Sequence, residues 1–154
     1  MIHYNKCPLS YGVRLMKERV DAQWNAEWQK SDETRGELTR KFFPSIYHRR
    51  KCSFIPDYIL TQYLTGHGKF NYYLEWMKIR TDDRCACGEI QTSLHLMEDC
   101  VVTADLKHDF IKEMEYALNR TNIGLQDYCL DDGIKIFKKF LYDVHKKSRL
   151  RQMQ

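Results

Sequence analysis

A mainly α-helical single small domain with one inserted metal-binding loop is the fold class that three features of the sequence predict. Apolar residues recur at helical spacing in successive segments, and short polar or Pro/Gly-containing stretches separate those segments. Between two of them lies Cys85-Ala86-Cys87-Gly88 … His95 … Cys100, a Cys-x-Cys-x7-His-x4-Cys array that no helical pattern explains. The 154 residues suit one domain spanning 1–154. A fold of that size buries roughly 68–70% of its unfolded surface, so it can build an apolar core without the metal.

The first helix is expected to enter at Pro8-Leu9-Ser10 and to carry Val13, Met16, Val20, Trp24 and Trp28 on one face. Two tryptophans four residues apart make a heavy ridge, read here as core, and the helix should end near Ser31-Asp32. Thr39 to Phe43 reads as extended, ended by Pro44, and Ser45 to Cys52 as a polar, basic connection. Pro56-Asp57 opens a helix with Tyr58, Ile59, Tyr63 and Leu64, which Gly66 stops. Phe70 to Ile79 is helical again, with Tyr73, Leu74 and Met77 on one side. Beyond the cysteine array, Leu106, Phe110, Met114 and Leu118 form a stripe that ends at Asn119. The last helix should begin near Asp131-Asp132 and use Ile136, Phe137, Phe140, Leu141 and Val144. Residues 146–154 read as a frayed basic tail.

The array is the most specific chemistry in the chain. Zn²⁺ takes thiolate and imidazole ligands tetrahedrally, and structural sites saturate all four positions with protein atoms. Cys85, Cys87, His95 and Cys100 supply three sulfurs and one nitrogen, giving a site of net charge −1. Gly88 allows the sharp turn after the second cysteine. Thr92 or Ser93 can cap a short helix presenting His95 in its first turn. Cys100 lies five residues further on, about 140° round an α-helix, so that helix must end or tighten first. Four protein ligands leave no position for a reactive water, which makes the expected role structural.

Composition bounds the rest. Charged residues at 30% and hydrophobic residues at 43% describe a globular chain, and its net charge of +4 permits a polyanionic partner without requiring one. No stretch approaches the ~20 apolar residues of a membrane span, and no apolar signal core opens the chain. An intracellular setting, nuclear and/or cytoplasmic, with reduced or metal-bound thiols is expected. Cys7, Cys52 and Cys129 are read as buried or surface thiols outside the array.

Four motifs occur in a fixed order: Trp24-x3-Trp28; Thr39-Arg40-Lys41-Phe42-Phe43-Pro44; Thr61-Gln62-Tyr63-Leu64-Thr65-Gly66-His67-Gly68-Lys69-Phe70-x2-Tyr73-Leu74; and the cysteine array. That succession, over about residues 8 to 105, resembles the C-terminal region of the polyprotein of arthropod-type non-LTR retrotransposons, downstream of reverse transcriptase and RNase H. The resemblance implies a zinc-knuckle-like element at 85–100 that helps engage the element's RNA or target DNA, with Cys85, Cys87, His95 and Cys100 as metal ligands. No reverse-transcriptase or RNase H carboxylate motif occurs in the chain, so no catalytic activity of its own is expected. The chain then reads as a fragment, a truncated copy, or a copy retained by a host. After Cys100 the match fades.

Basic residues cluster at Arg40-Lys41, at Arg49-Arg50-Lys51, and at Lys146, Lys147, Arg149 and Arg151; these are the candidate nucleic-acid contacts. His67 between two glycines has no nucleophile or acid placed to use it as a general base. Asp82-Asp83 and Asp131-Asp132 are read as caps or surface charge rather than Mg²⁺ ligands. The expected function is a nucleic-acid-binding structural zinc module. Its alternative is a protein–protein interaction or scaffold module with a protein partner or a second copy.

Overall fold

Eight α-helices and one 3-10 turn account for the secondary structure in the computed structural model, which describes residues 8–30 and 36–152, with side chains to 149. Among the described residues there is no strand, only an antiparallel bridge between Arg84 and Ile90. The mainly helical class expected from the apolar spacing is the class observed. In order the helices are α1 (Leu9–Lys30), α2 (Glu37–Phe42), α3 (Ile46–Arg50), α4 (Tyr58–Thr65), α5 (Asn71–Trp76), α6 (Ser93–Glu98), α7 (Ala104–Leu118) and α8 (Ile134–Gln152). The expected α1 terminus at Ser31-Asp32, and Cys7, lie outside the described residues.

Helix α8 is the axis of the packing. It meets α7, α4 and α6, while α2 packs on α4 and on the 3-10 turn at Leu125–Asp127. The centre is aromatic. Phe110 of α7 stacks on Phe140 of α8 at 4.3 Å between centroids and meets Tyr128 edge-on at 4.8 Å. Phe137 closes the group against Tyr128 at 5.1 Å and Phe42 at 5.9 Å. Such pairs add about 0.5–1.5 kcal/mol each beyond their area burial. Phe137, Phe140, Leu141 and Val144 are buried, as their spacing implies, and Cys52 and Cys129 are buried thiols.

Several expectations are corrected. Residues 39–43 are not extended: α2 runs to Phe42, and only Phe43, directly before Pro44, leaves helical geometry at φ −127° and ψ 81°. Proline restrains the residue before it and no further, and a Lys41–Glu37 pair at 3.0 Å supports the turn behind. The 45–52 segment contains α3, capped by Ser45 Oγ accepting from the His48 amide. The tryptophan ridge on α1 is split. Trp28 is half-buried and donates from Nε1 to the Phe43 carbonyl at 2.9 Å, whereas Trp24 is 55% exposed and no residue of α1 is fully buried.

Helix α8 also continues through the segment read as a frayed tail, to Gln152. Lys147 reaches across to Asp105 of α7 at 2.6 Å, and Val144 beneath it is buried, so this stretch has tertiary support.

Candidate metal centre

The ligand loop is built by local hydrogen bonds before any long-range contact is counted. Asp82 Oδ1 accepts from the Arg84 amide, and the Cys85 amide donates to the Glu89 carbonyl at 2.7 Å. The Gly88 amide donates back to the Cys85 carbonyl at 2.9 Å, closing a tight turn in which Gly88 holds φ 97°. A side chain at that φ is strained, so glycine is what lets Cys85 and Cys87 face the same point. Arg84 adds a brace from its guanidinium to the Gly88 carbonyl at 2.6 Å.

The other half is α6. Thr92 caps it by accepting from the His95 amide at 3.0 Å, which sets His95 in the first turn. The helix ends at Glu98, and the amides of Asp99 and Cys100 both donate to the His95 carbonyl, at 3.0 and 2.9 Å. This termination brings Cys100 back toward His95, as the 140° offset requires. Thr103 Oγ1 then donates to the Leu96 carbonyl at 2.7 Å and locks the exit.

The four candidate ligand atoms lie within 4.8 Å of one another. Cys85 Sγ is 3.7 Å from Cys100 Sγ, Cys100 Sγ is 3.9 Å from Cys87 Sγ, and Cys87 Sγ is 3.2 Å from His95 Nε2. Sulfurs at the usual Zn–S bond of about 2.3 Å in a tetrahedron stand roughly 3.8 Å apart. The observed edges bracket that value, so the residues fit a four-coordinate ion, with Nε2 as the imidazole donor. Cys85, His95 and Cys100 are buried and Cys87 is half-buried, which leaves little room for a further ligand. Burial pushes both buried thiols up. At Cys85 the Cys87 backbone amide, the Cys100 and Cys87 thiols and Gln91 outweigh it, and its pKa falls below the usual 9.0. At Cys100 burial is reinforced by the Cys85 sulfur and the pKa rises to about 11. Ionising one of these thiols disfavours ionising the next, as in any packed set of like charges until a cation neutralises them.

Two residues without any motif in the sequence join this centre to the fold. Gln91 is almost fully buried; its Oε1 accepts from the Asn71 amide at 3.1 Å and its carbonyl accepts from the Tyr72 amide at 3.3 Å. Asn71 returns a bond from Nδ2 to the Arg84 carbonyl at 2.6 Å. Helix α5 is therefore hung on the ligand loop. A lone Gln and Asn carry no signal of this in the sequence, because each partner is thirteen or more residues away.

The basic candidates divide by surroundings. Arg49 lies over the Phe54 ring at 4.7 Å and donates to the Cys52 carbonyl at 2.7 Å. Arg50 pairs with Asp21, Lys41 with Glu37, and Lys147 with Asp105. Arg40 is half-buried, Lys51 is exposed, and Lys146 and Arg149 are exposed on α8. The side chain of Arg151 lies outside the described residues. His67 stacks on Tyr73 at 5.0 Å.

Comparison with known proteins gives this geometry a lineage. The chain is 29% identical over 126 residues to a retrovirus-related Pol polyprotein from the type-1 retrotransposable element R1 4 of Nasonia vitripennis, covering 80% of this chain and 32% of that protein. It is 35% identical over 78 residues to the Pol polyprotein of element R1 2 of the same organism, 50% of this chain and 18% of the relative. The R1 Pol polyprotein of Bradysia coprophila is 30% identical over 95 residues, 60% of this chain and 9% of the relative. The homologues are thus Pol polyproteins of R1 non-LTR retrotransposons, and the chain spans about a third of their length or less. No family model matches the chain. No solved structure matches it. No helix of the described residues is long and apolar enough to cross a membrane.

Proposed function

We propose that this chain is a nucleic-acid-binding module of retroelement origin, braced by a structural zinc ion and without catalytic activity of its own. The observation that carries the reading is the closed set of Cys85, Cys87, His95 and Cys100, four ligand atoms within 4.8 Å, in a chain homologous to R1 Pol polyproteins. Zn²⁺ is the ion that three thiolates and an imidazole select, and a closed four-ligand site is a structural one. When bound, the ion would cross-link the 85–88 turn to α6 and, through Gln91 and Asn71, set the position of α5.

The partner proposed is RNA or DNA, reached in the nucleus or cytoplasm. Phosphate contacts are assigned to Arg40, Lys41, Arg49, Arg50 and Lys51, and to Lys146, Lys147, Arg149 and Arg151. Metal analysis of protein purified without added zinc tests the first half: about one zinc per chain is expected, and a Cys87→Ala variant should lose most of it. Titration with RNA and DNA across salt tests the second. Affinity should fall with log salt by roughly 0.7 per phosphate contact on a single strand, and a flat, weak response rejects it.

One observation favours a second reading as a protein-interaction module. Helix α1 exposes a row of apolar side chains, Leu9 at 86%, Met16 at 69%, Val20 at 58% and Trp24 at 55%. A protein partner or a second copy bound there, with no nucleic-acid affinity, is the outcome that would establish it.

A further inference from the structure

Away from the metal ligands, α5 and the loop after α4 present a row of aromatic rings in which Tyr73 packs on the core and the two ends, His67 and Trp76, stand exposed. The His67 ring lies 5.0 Å from Tyr73 with 30° between planes, and Tyr73 lies 5.8 Å from Trp76 with 29° between planes. The middle ring is the most covered: Tyr73 is half-buried, while His67 is exposed and Trp76 is 63% exposed. Beside it runs an open groove of about 460 Å³ lined by Tyr58, Thr61, Gln62, His67, Gly68 and Tyr73. Tyr58, 66% exposed, lines that groove together with Thr61 and Gln62.

An exposed tryptophan at the end of a ring stack is costly to leave in water, and its flat face suits another flat aromatic surface. The charges around it narrow the class of ligand. Exposed Lys69 follows His67 in the chain, and Lys78 and Arg80 follow Trp76. Glu75, the acid within α5, is held by Lys78 at 3.1 Å. On the His67 side, Tyr63 of α4 packs edge-on against His145 of α8, and His145, already disfavoured from protonating by burial, is further opposed by Arg149 and Lys69. Tyr63 also meets Phe70, next to Lys69, edge-on at 5.0 Å, so the turn of α8 that holds His145 and the end of the 67–70 loop pack on one ring, and Arg149 is exposed one turn beyond His145.

The geometry points to a base-stacking platform for single-stranded nucleic acid, with Trp76, Tyr73 and His67 as the rings and Lys69 and Arg149 as backbone-phosphate contacts. This deepens the nucleic-acid reading above and rests on it. Stacking of unpaired bases on aromatic side chains is tolerant of sequence and is strengthened by a basic track beside the rings. It also gives the metal centre a task. Asn71 and Tyr72, the first residues of α5, hydrogen-bond to the ligand loop, so the ion would hold the platform in register with α8.

Anisotropy titrations of the zinc-loaded full chain with labelled oligo-dT and oligo-U of about twelve nucleotides test this, with a duplex of equal length alongside. Trp76→Ala should weaken binding to the single strands about 5- to 150-fold, since each stacked base contributes roughly 1–3 kcal/mol. Trp76→Phe should keep most of the affinity but lose the quenching of tryptophan fluorescence that stacking produces. Lys69→Ala and Arg149→Ala should each lower the salt slope by roughly 0.7. Tyr116→Ala, a 91% exposed aromatic on α7, should change nothing. Unchanged single-strand affinity in Trp76→Ala, with zinc content intact, overturns the platform and leaves nucleic-acid binding standing. A preference for the duplex that is insensitive to Trp76 overturns it equally. Failure of the unmodified protein to bind any of the three removes both readings.

Discussion

The loop from Cys85 to Cys100 and the helix α1 carry equally regular patterns, one of ligands and one of apolar residues, yet only the loop satisfies its pattern within the fold. Its four candidate ligand atoms converge, its turn is closed by Gly88, and its Gln91 and Arg84 oxygens accept from α5. Helix α1 is held by Trp28, which bonds the Phe43 carbonyl, by Asn25 accepting from the Ile46 amide at 3.2 Å, and by the Asp21–Arg50 pair. All three contacts lie in its second half, and the apolar row from Leu9 to Trp24 stays exposed. A metal-ligand pattern names its own partner, because the ligands must meet at one ion. An amphipathic pattern states only that something apolar must cover it.

Removing the ion from the zinc-loaded protein should erase the loop's advantage over α1 and have the largest effect. Structural zinc in finger peptides contributes about 10–16 kcal/mol of apparent binding energy. Chelation should therefore lower the urea midpoint more than the loss of either α1 tryptophan or the Asp57 cap. Hydrogen exchange should rise first at the Cys85, Leu96, Asp99 and Cys100 amides. A uniform rise that includes the buried middle of α8 would show that the loop and the aromatic core unfold together. Acid should have the same effect. Zinc takes the thiolate, and without metal Cys100 is protonated at neutral pH because its pKa is about 11. Affinity should accordingly fall about tenfold per pH unit for each proton displaced as pH drops.

The two tryptophans of α1 give the next largest effect. Trp28→Ala removes a hydrogen bond to the Phe43 carbonyl and a half-buried ring, and should cost about 2–3 kcal/mol in denaturant unfolding. Trp24→Ala should stay within about 0.5 kcal/mol, as an exposed substitution does. A loss at Trp24 as large as at Trp28, and dependent on protein concentration, would reveal that the row is covered by a second copy.

The smallest effect measures a purely local signal. Asp57 Oδ1 caps α4 by accepting from the Leu60 amide at 2.8 Å, and its other oxygen meets Lys138 of α8 at 2.9 Å. Asp57→Ala should cost about 1 kcal/mol. Burial raises this carboxyl, but the Leu60 amide and Lys138 outweigh it and hold it below the usual 3.8. A depressed folded value means the stabilisation is present above the unfolded pKa and is lost as pH falls through the folded one. The gap between the unmodified protein and Asp57→Ala should therefore be full at neutral pH and shrink below about pH 4.

Legibility in the sequence divides along the same line. Asp57, Gly66, Thr92 and Asn119 are legible as helix ends because a cap acts within its own turn. Phe110, Phe137, Phe140 and Leu141 are legible as core because their spacing repeats the helical period. Residues 39–42 mislead because the Phe-Phe-Pro sequence resembles a strand end, while the contact of α2 with α4 and the 3-10 turn is invisible locally. Trp24 misleads because its spacing from Trp28 shows a shared face but not whether anything reaches it.

The helical class, the positions of the caps and the identity of the four candidate ligand side chains all follow from the order of the residues, since each depends on interactions within a few residues or on one ion's coordination chemistry. Three outcomes belong instead to the folded chain: which aromatics are left outside the core, that Gln91 and Asn71 hang α5 on the ligand loop, and that His145 of α8 and Phe70 meet on the Tyr63 ring. Those outcomes depend on where distant segments meet. No local pattern carries that information, because the free energy that places the segments comes from the burial shared between them.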